Sequence, residues 1–97
     1  MIGAKIRYYD DAQDGGDKCI YKPLNRGEYI IDTNSQPLVL RSRPSTDSEQ
    51  MALMEKGTSF EAYGFEDDSG KWLLGETVID GTAYAGWAYR DYLTKLY

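Results

Sequence analysis

The chain of 97 residues contains no histidine and a single cysteine, Cys19. One cysteine excludes an internal disulfide, and the absence of histidine excludes the usual zinc-binding patterns. A catalytic thiol needs a base to take its proton, and histidine is the common base for that step. We therefore interpret Cys19 as a small, half-buried strand residue, and we predict no metal site and no cofactor.

The sequence also lacks long apolar runs and an excess of basic residues. No stretch reaches the ~18 apolar residues that a membrane span needs, and the first residues lack the apolar core of a signal peptide. We therefore predict no membrane span. The net charge is −5, and a surface with this charge repels phosphate groups, so we exclude nucleic acid as a partner.

What the sequence does contain is a succession of short strand-like segments separated by glycine-containing turns. With 41% hydrophobic and 28% charged residues, the composition is that of one folded domain. Alternation of apolar and polar residues predicts the strands, and Asp80-Gly81 is a strong hairpin signal. The strands predicted for the main body are Tyr29–Asp32, Leu38–Arg43, Met51–Met54, Thr58–Phe65, Lys71–Ile79 and Thr82–Ala88.

Five or six short strands without a convincing helix predict an all-β fold. We expect a small antiparallel barrel, because closing the sheet removes its exposed edges. The one helical element predicted is a tight 3-10 turn around Tyr89–Tyr92. Gly64 is expected to allow a bend or bulge in its strand, and Glu66–Gly70 is interpreted as a solvated acidic turn.

Residues 1–28 are predicted to form an extra N-terminal hairpin. Ala4–Tyr9 and Cys19–Lys22 are rich in strand-forming residues and flank a segment of aspartates and glycines. A calcium loop is a second interpretation of those aspartates. The spacing argues against it, because Ala12 and Tyr21 stand where such a loop needs a third-position ligand and its closing glutamate, so we favour a solvated hairpin tip.

Four motifs of the main body resemble, in the same order, those of bacterial SH3 domains. The family pattern is roughly LNVRSGPS, a glycine turn, a tryptophan-led strand, and GWV followed by YL. Val39 and Arg43 depart from it, since they stand where the family has Asn and Gly. The matching residues are Leu38–Ser45 (LVLRSRPS), Lys56–Thr58 (KGT), Lys71-Trp72, Ala85–Ala88 (AGWA) and Tyr92-Leu93.

The resemblance implies an SH3-like barrel over residues 29–97, with residues 1–28 as an extension. It also implies a non-catalytic module that binds a peptide, such as a peptidoglycan stem peptide, or a protein partner. The alternative is an intracellular protein-interaction, regulatory or inhibitor domain. We expect a cytoplasmic protein if the 97 residues are the whole chain, and a cell-envelope or secreted one if they belong to a larger wall-associated protein.

A groove lined by aromatic residues is the expected binding site, because the resemblance implies one. Strand alternation predicts that Tyr84 and Trp87 face opposite sides of their strand, so that one side contributes to the core. The aromatic residues predicted for the groove are Tyr63, Trp72, Trp87, Tyr89 and Tyr92.

Two arginines are further candidates for ligand binding. Arg41 and Arg43 are two residues apart, so a regular strand places them on one face, where they can hold a ligand carboxylate. The alternative is that they pair with surface acids such as Glu49 or Glu55.

No combination of residues predicts catalysis. Glu61 and Glu76 are the one carboxylate pair to consider, since glycoside hydrolysis uses two carboxylates. Nothing in the sequence brings them to a common cleft, and a small barrel offers little pocket. We therefore predict that the protein is not an enzyme.

Overall fold

A computed structural model describes residues 19–97 of the chain. This part is all-β, with eight strands and two 3-10 turns, Pro23–Asn25 and Arg90–Tyr92. The predicted strand Ala4–Tyr9 and the aspartate-rich segment after it lie outside the described residues. The strands are β1 (Cys19–Tyr21), β2 (Gly27–Ile31), β3 (Leu38–Arg41), β4 (Gln50–Met54), β5 (Ser59–Asp67), β6 (Trp72–Ile79), β7 (Thr82–Tyr89) and β8 (Leu93–Lys95).

The strands form one antiparallel sheet in the order β4-β3-β7-β6-β5-β2-β8, and β1 pairs with β5 beside β2. The all-β prediction is confirmed, as is the 3-10 turn near the C-terminal end of the chain. The described residues hold eight strands, of which six match the strands predicted for the main body and β1 matches the predicted strand Cys19–Lys22. The additional strand is the three-residue β8, which pairs with β2 from Tyr29–Lys95 to Ile31–Leu93.

The hairpin of β6 and β7 is the most regular part of the sheet. Its register runs without interruption from Trp72 opposite Tyr89 to Ile79 opposite Thr82. Asp80 and Gly81 connect the strands with φ angles of 51° and 82°. Positive φ at both central residues matches the right-handed twist of a hairpin, which is why Asp-Gly predicted this turn correctly.

Two glycines allow neighbouring strands to approach the β6–β7 hairpin closely. Gly75 and Gly86 are cross-strand partners. A Cβ atom on Gly75 would collide with the carbonyl oxygen of Glu61 and lie 2.6 Å from Phe60 Cζ. A Cβ atom on Gly86 would lie 2.5 Å from the carbonyl oxygen of Arg41. Only glycine therefore fits at both positions.

Strand β5 contains the predicted irregularity at Gly64. This residue has a φ of 106°, and the register between β5 and β6 shifts between Ala62 and Glu66. The backbone N–H of Lys22 donates to the Gly64 carbonyl over 2.7 Å. The bulge therefore lies where β1 joins the sheet.

The buried side chains form two clusters that strand alternation separates. The larger cluster includes Phe60, and Tyr84 packs against it. The smaller cluster consists of Trp72, Leu74 and Trp87. Tyr84 and Trp87 thus occupy different environments, as their positions in β7 predicted. The other buried members of the larger cluster are Tyr29, Ile31, Leu38, Leu40, Met54, Ala62, Leu73 and Ala88.

Residues 19–28 are continuous with the main sheet. β1 pairs with β5 from Cys19–Asp67 to Tyr21–Phe65, and β2 begins at Gly27. A boundary after residue 28 therefore falls inside β2. Within residues 19–97, neither 3-10 turn has the length or the apolar character to cross a membrane.

Candidate ligand groove

An open cavity of about 420 Å³ lies between β3, the start of β6, the end of β7 and the 3-10 turn that follows it. We call this cavity the aromatic groove. Four of the seven residues predicted to bind a ligand line it: Arg41, Trp72, Tyr89 and Tyr92. The remaining lining residues are Pro37, Leu38, Val39 and Thr46.

Three aromatic rings follow one another along the groove. The rings of Trp72 and Tyr89, which are cross-strand partners, meet edge-on with centroids 5.2 Å apart. Tyr89 and Tyr92 lie 5.9 Å apart at 43°. Trp72 is 8% exposed and Tyr92 is 47% exposed. The groove therefore has a buried indole at its base and an accessible phenol at its rim.

Arg41 brings a positive charge to the groove. Its Nη1 donates to the carbonyl oxygen of Ser48 over 2.9 Å, which holds the side chain against the loop after β3. Among residues 19–97 no carboxylate lies within salt-bridge distance of this guanidinium, so the predicted alternative of a pair with Glu49 or Glu55 does not form. A guanidinium has five N–H donors, and most remain for a ligand.

Arg43 is not among the residues that line the groove. Its backbone belongs to a loop organised by Ser48, whose Oγ accepts from the Arg43 amide over 3.2 Å. The same hydroxyl lies 2.8 Å from the carbonyl oxygen of Ser45. Strand β3 ends at Arg41, so the two-residue alternation that was predicted to align both arginines stops before Arg43.

Trp87 is fully buried, with 0% of its surface exposed. Its cross-strand partners are Leu74 and Arg41, and its ring belongs to the smaller buried cluster. The expectation that Trp87 lines an open groove is therefore wrong. Alternation indicates which side of a strand a residue faces, but it does not indicate which side is covered.

Tyr63 does not line the aromatic groove, although it packs against the smaller buried cluster that contains Trp72. It lines a separate cavity of about 420 Å³ together with Tyr21 and Arg26. Its hydroxyl group donates to Glu76 Oε1 over 2.6 Å. The structure thus does not bring Tyr63 into one cavity with Tyr92, because Tyr63 lies on β5 and Tyr92 lies in the 3-10 turn after β7.

Glu61 and Glu76 lie directly opposite each other on β5 and β6, although nothing in the sequence predicted this proximity. Glu28 is in turn opposite Glu61. The three carboxylates line a cavity of about 310 Å³. Like charges in such positions destabilise a sheet. This cavity shares no lining residue with the aromatic groove.

The acidic turn Glu66–Gly70 is less solvated than the sequence indicated, because Glu66 and Asp67 are both buried. Asp67 Oδ1 accepts from the backbone N–H groups of Lys71 and Trp72, each over 3.1 Å. These bonds close the turn and fix the point at which β6, and with it the Trp72 side chain, enters the sheet.

Glu66 anchors the other end of the groove through a polar network. Its Oε1 accepts from Asn25 Nδ2 over 2.7 Å and from Arg90 Nη1 over 3.2 Å. Arg90 Nη2 also donates to Asn25 Oδ1 over 2.6 Å. Because Arg90 begins the 3-10 turn that carries Tyr92, this network positions the rim of the groove.

A further cavity, of about 350 Å³, adjoins the aromatic groove and was not predicted from the sequence. It shares Pro37, Leu38 and Tyr92 with the groove and extends along the loop between β2 and β3. Thr33 at its base is 7% exposed. Sequence analysis missed this cavity, because a hydrophilic loop carries no signal for a buried hydroxyl.

The described residues contain no group of three or more acidic, thiol or imidazole side chains that could hold a metal ion. Comparison of the chain with protein-family models, with curated proteins and with solved structures found no match.

Proposed function

We propose that the protein is a non-catalytic module with an SH3-like barrel that binds a short peptide in the aromatic groove. One feature supports the barrel. Gly64, Gly75 and Gly86 permit the bends and close backbone contacts that a strongly curved sheet needs.

The single observation that carries the binding proposal is the lining of the groove. Arg41, Trp72, Tyr89 and Tyr92 come from four different elements and meet at one open cavity. Aromatic rings supply contact area at low entropic cost, and a guanidinium binds carboxylates through paired hydrogen bonds. A peptide with an apolar side chain beside a carboxylate satisfies both features. A peptidoglycan stem peptide and an acidic segment of a protein partner are ligands of this kind.

The proposal assigns no reaction to Glu61 and Glu76. These carboxylates lie at a cavity whose lining residues are distinct from those of the groove. Tyr63 donates a hydrogen bond to Glu76, which accounts for one of its oxygens. A peptide held at Trp72 is therefore not presented to this pair.

The test is an NMR titration of ¹⁵N-labelled protein with a synthetic stem peptide, with an uncharged proline-rich peptide as the control. The two tryptophans give an internal comparison, because Trp72 lines the groove and Trp87 is fully buried. We expect the Trp72 indole and the Tyr92 amide to shift progressively with the stem peptide, while the Trp87 indole shifts much less. An unchanged Trp72 indole with the stem peptide contradicts the proposal.

A further inference from the structure

The cavity beside the aromatic groove has a lining of neutral side chains. We call it the Thr33 cavity, and it contains no ionisable side chain other than the Tyr92 phenol. Charged ligands are disfavoured there, because nothing in the lining compensates a charge that leaves water. A neutral group that can form hydrogen bonds suits it better. The lining residues are Thr33, Asn34, Ser35, Gln36, Pro37, Leu38 and Tyr92.

Thr33 is the unusual member of this lining. Its side-chain oxygen is buried and has no hydrogen-bond partner within the described part of the chain. Buried hydroxyl groups are nearly always paired, because an unpaired one carries the cost of its lost hydration. Thr77 illustrates the ordinary case. It is 2% exposed, and its hydroxyl donates to the carbonyl oxygen of Ser59 over 2.8 Å.

We propose that the Thr33 cavity is a subsite for a peptide bond of the ligand, which forms a hydrogen bond with the Thr33 hydroxyl. The inference rests on the proposed function and extends it, because the subsite adjoins the aromatic groove at Pro37, Leu38 and Tyr92. A ligand backbone that leaves Tyr92 enters the cavity directly. One unpaired hydroxyl among neutral side chains suits a secondary amide, which offers one donor and one acceptor and carries no charge.

The experiment uses the uncharged probe acetyl-Ala-Ala-N-methylamide, which has peptide bonds but no carboxylate for Arg41. In ¹⁵N-labelled protein we expect the amides of residues 33–38 to shift with increasing probe. In Thr33→Val the slope of these shifts should fall by about 2- to 12-fold, the range of one neutral hydrogen bond. Thr33→Ser retains the hydroxyl and should respond like the unchanged protein.

The unfolding temperature of the same variants is a second measurement. For Thr33→Val it should rise, whereas the response to the probe should fall. Removing an unpaired buried hydroxyl removes a cost, so Thr33→Val should unfold at a higher temperature than the unchanged protein. Thr77→Val is the matched control. It loses a hydrogen bond at a buried position, so it should unfold at a lower temperature and should leave the probe response of residues 33–38 unchanged.

Equal probe slopes for Thr33→Val and the unchanged protein would overturn the subsite, as would a Thr33→Val variant that is less stable or unfolded. A response of residues 33–38 to N-acetylglucosamine but not to the capped peptide would also overturn it. The outcome is separable from that of the groove. If the stem peptide leaves Trp72 unshifted while the capped peptide acts through Thr33, the proposed function fails and the subsite stands.

Discussion

Tyr92 has a larger role in the binding proposal than in the folding of the sheet. Its ring lines both cavities, yet it is 47% exposed. Tyr92→Ala should therefore cost about 1 kcal/mol of stability or less, and it should weaken stem-peptide binding at least about fivefold, as loss of a central interface aromatic does. Urea denaturation and the NMR titration measure the two effects.

Tyr21 provides a matched control for this change. Its ring is also 47% exposed, and it lies at the separate cavity with Tyr63. Tyr21→Ala should bind the stem peptide with unchanged affinity. Equal losses of affinity in both variants would mean that the groove is not the site of contact.

Arg41 should determine how strongly binding depends on the ligand carboxylate. Arg41→Gln should weaken the stem peptide and reduce the salt dependence of its affinity, because the charge pair is removed. The same peptide with its carboxylates amidated should bind the variant and the unchanged protein alike. Arg26→Gln, at a cavity away from the groove, is the control, and a loss of affinity there would point to a general effect of protein charge.

Cys19 should react slowly for a half-exposed thiol. Burial raises the pKa of the Cys19 thiol from 9.0 to about 11, so at pH 8 its thiolate fraction is about 100-fold below that of an unperturbed cysteine. Reaction with a disulfide reagent should accelerate by a similar factor when the protein is unfolded in guanidinium. The same rate in the folded and unfolded states would contradict the raised pKa.

The pH dependence of stability follows from the same shift. Because the pKa of Cys19 is higher in the folded state than in the unfolded state, its contribution to stability is fully present below pH 9 and is lost as the pH rises toward 11. Burial also raises the pKa of Tyr29, and the charge of Arg90 partly opposes this. Both groups therefore act against the folded state at alkaline pH.

At the level of single residues, the sequence predicted several residues that line the groove, but it also assigned to the groove a residue that is buried. Trp72, Tyr89 and Tyr92 were predicted and are brought together, because motif order fixes which strands carry them. Trp87 was assigned to the same surface and is buried. The buried hydroxyl of Thr33 was missed, since burial depends on contacts between elements that are distant in the sequence.

Among the structural elements, the 3-10 turn Arg90–Tyr92 has a side-chain network in addition to its own backbone hydrogen bond, which the Leu93 N–H donates to the Arg90 carbonyl oxygen. Arg90 joins the turn to Glu66 and Asn25. Arg90→Met should therefore lower the free energy of unfolding by about 1–3 kcal/mol, because the buried Glu66 loses a partner. Stem-peptide affinity should fall as well, because Tyr92 is no longer held in place.

Lys56→Met is the control for this change in stability. Lys56 and Asp32 form an ion pair at 3.7 Å in which both side chains are more than half exposed. Loss of such a pair costs less than about 1 kcal/mol. If urea denaturation shows an equal loss of stability in the two variants, the network around Glu66 stabilises the protein no more than an exposed ion pair does.

Local sequence signals predicted every strand of residues 19–97 except the last. The hairpin of β6 and β7 was predicted with its turn, because alternation and Asp80-Gly81 act over a few residues. Strand β8 was missed, because three residues carry no detectable period. Its pairing depends on β2, more than 60 residues earlier, through contacts such as Thr94 Oγ1 with Asp32 Oδ2 at 2.9 Å.

At the scale of the whole molecule, the Gly75–Gly86 pair controls how closely the strands on either side can pack. Gly75→Ala should destabilise the protein by about 3 kcal/mol, the upper part of the range for overpacking, because the new methyl group meets the backbone of Glu61. Chemical denaturation would measure this loss, and a fall of less than about 1 kcal/mol would contradict the close approach.

Gly57→Ala separates this collision from backbone strain. Gly57 has a φ of 90°, but nothing lies within 4 Å of an added Cβ atom. Its substitution should therefore cost only the about 1–2 kcal/mol of an unfavourable backbone conformation. A larger loss at Gly57 than at Gly75 would mean that strand proximity is not the limiting factor.

The pairing of β8 with β2 has a mechanical consequence. β8 is only three residues long and directly follows the turn that carries Tyr92. Tension applied at Tyr97 would first break the hydrogen bonds that the Leu96 and Tyr97 N–H groups donate to the Glu28 carbonyl oxygen. It would then separate β8 from β2, from Lys95 back to Leu93, and reach the turn. A pull from this side would distort the aromatic groove while β5, β6 and β7 are still paired, so a ligand bound in the groove would be released before the sheet unfolds.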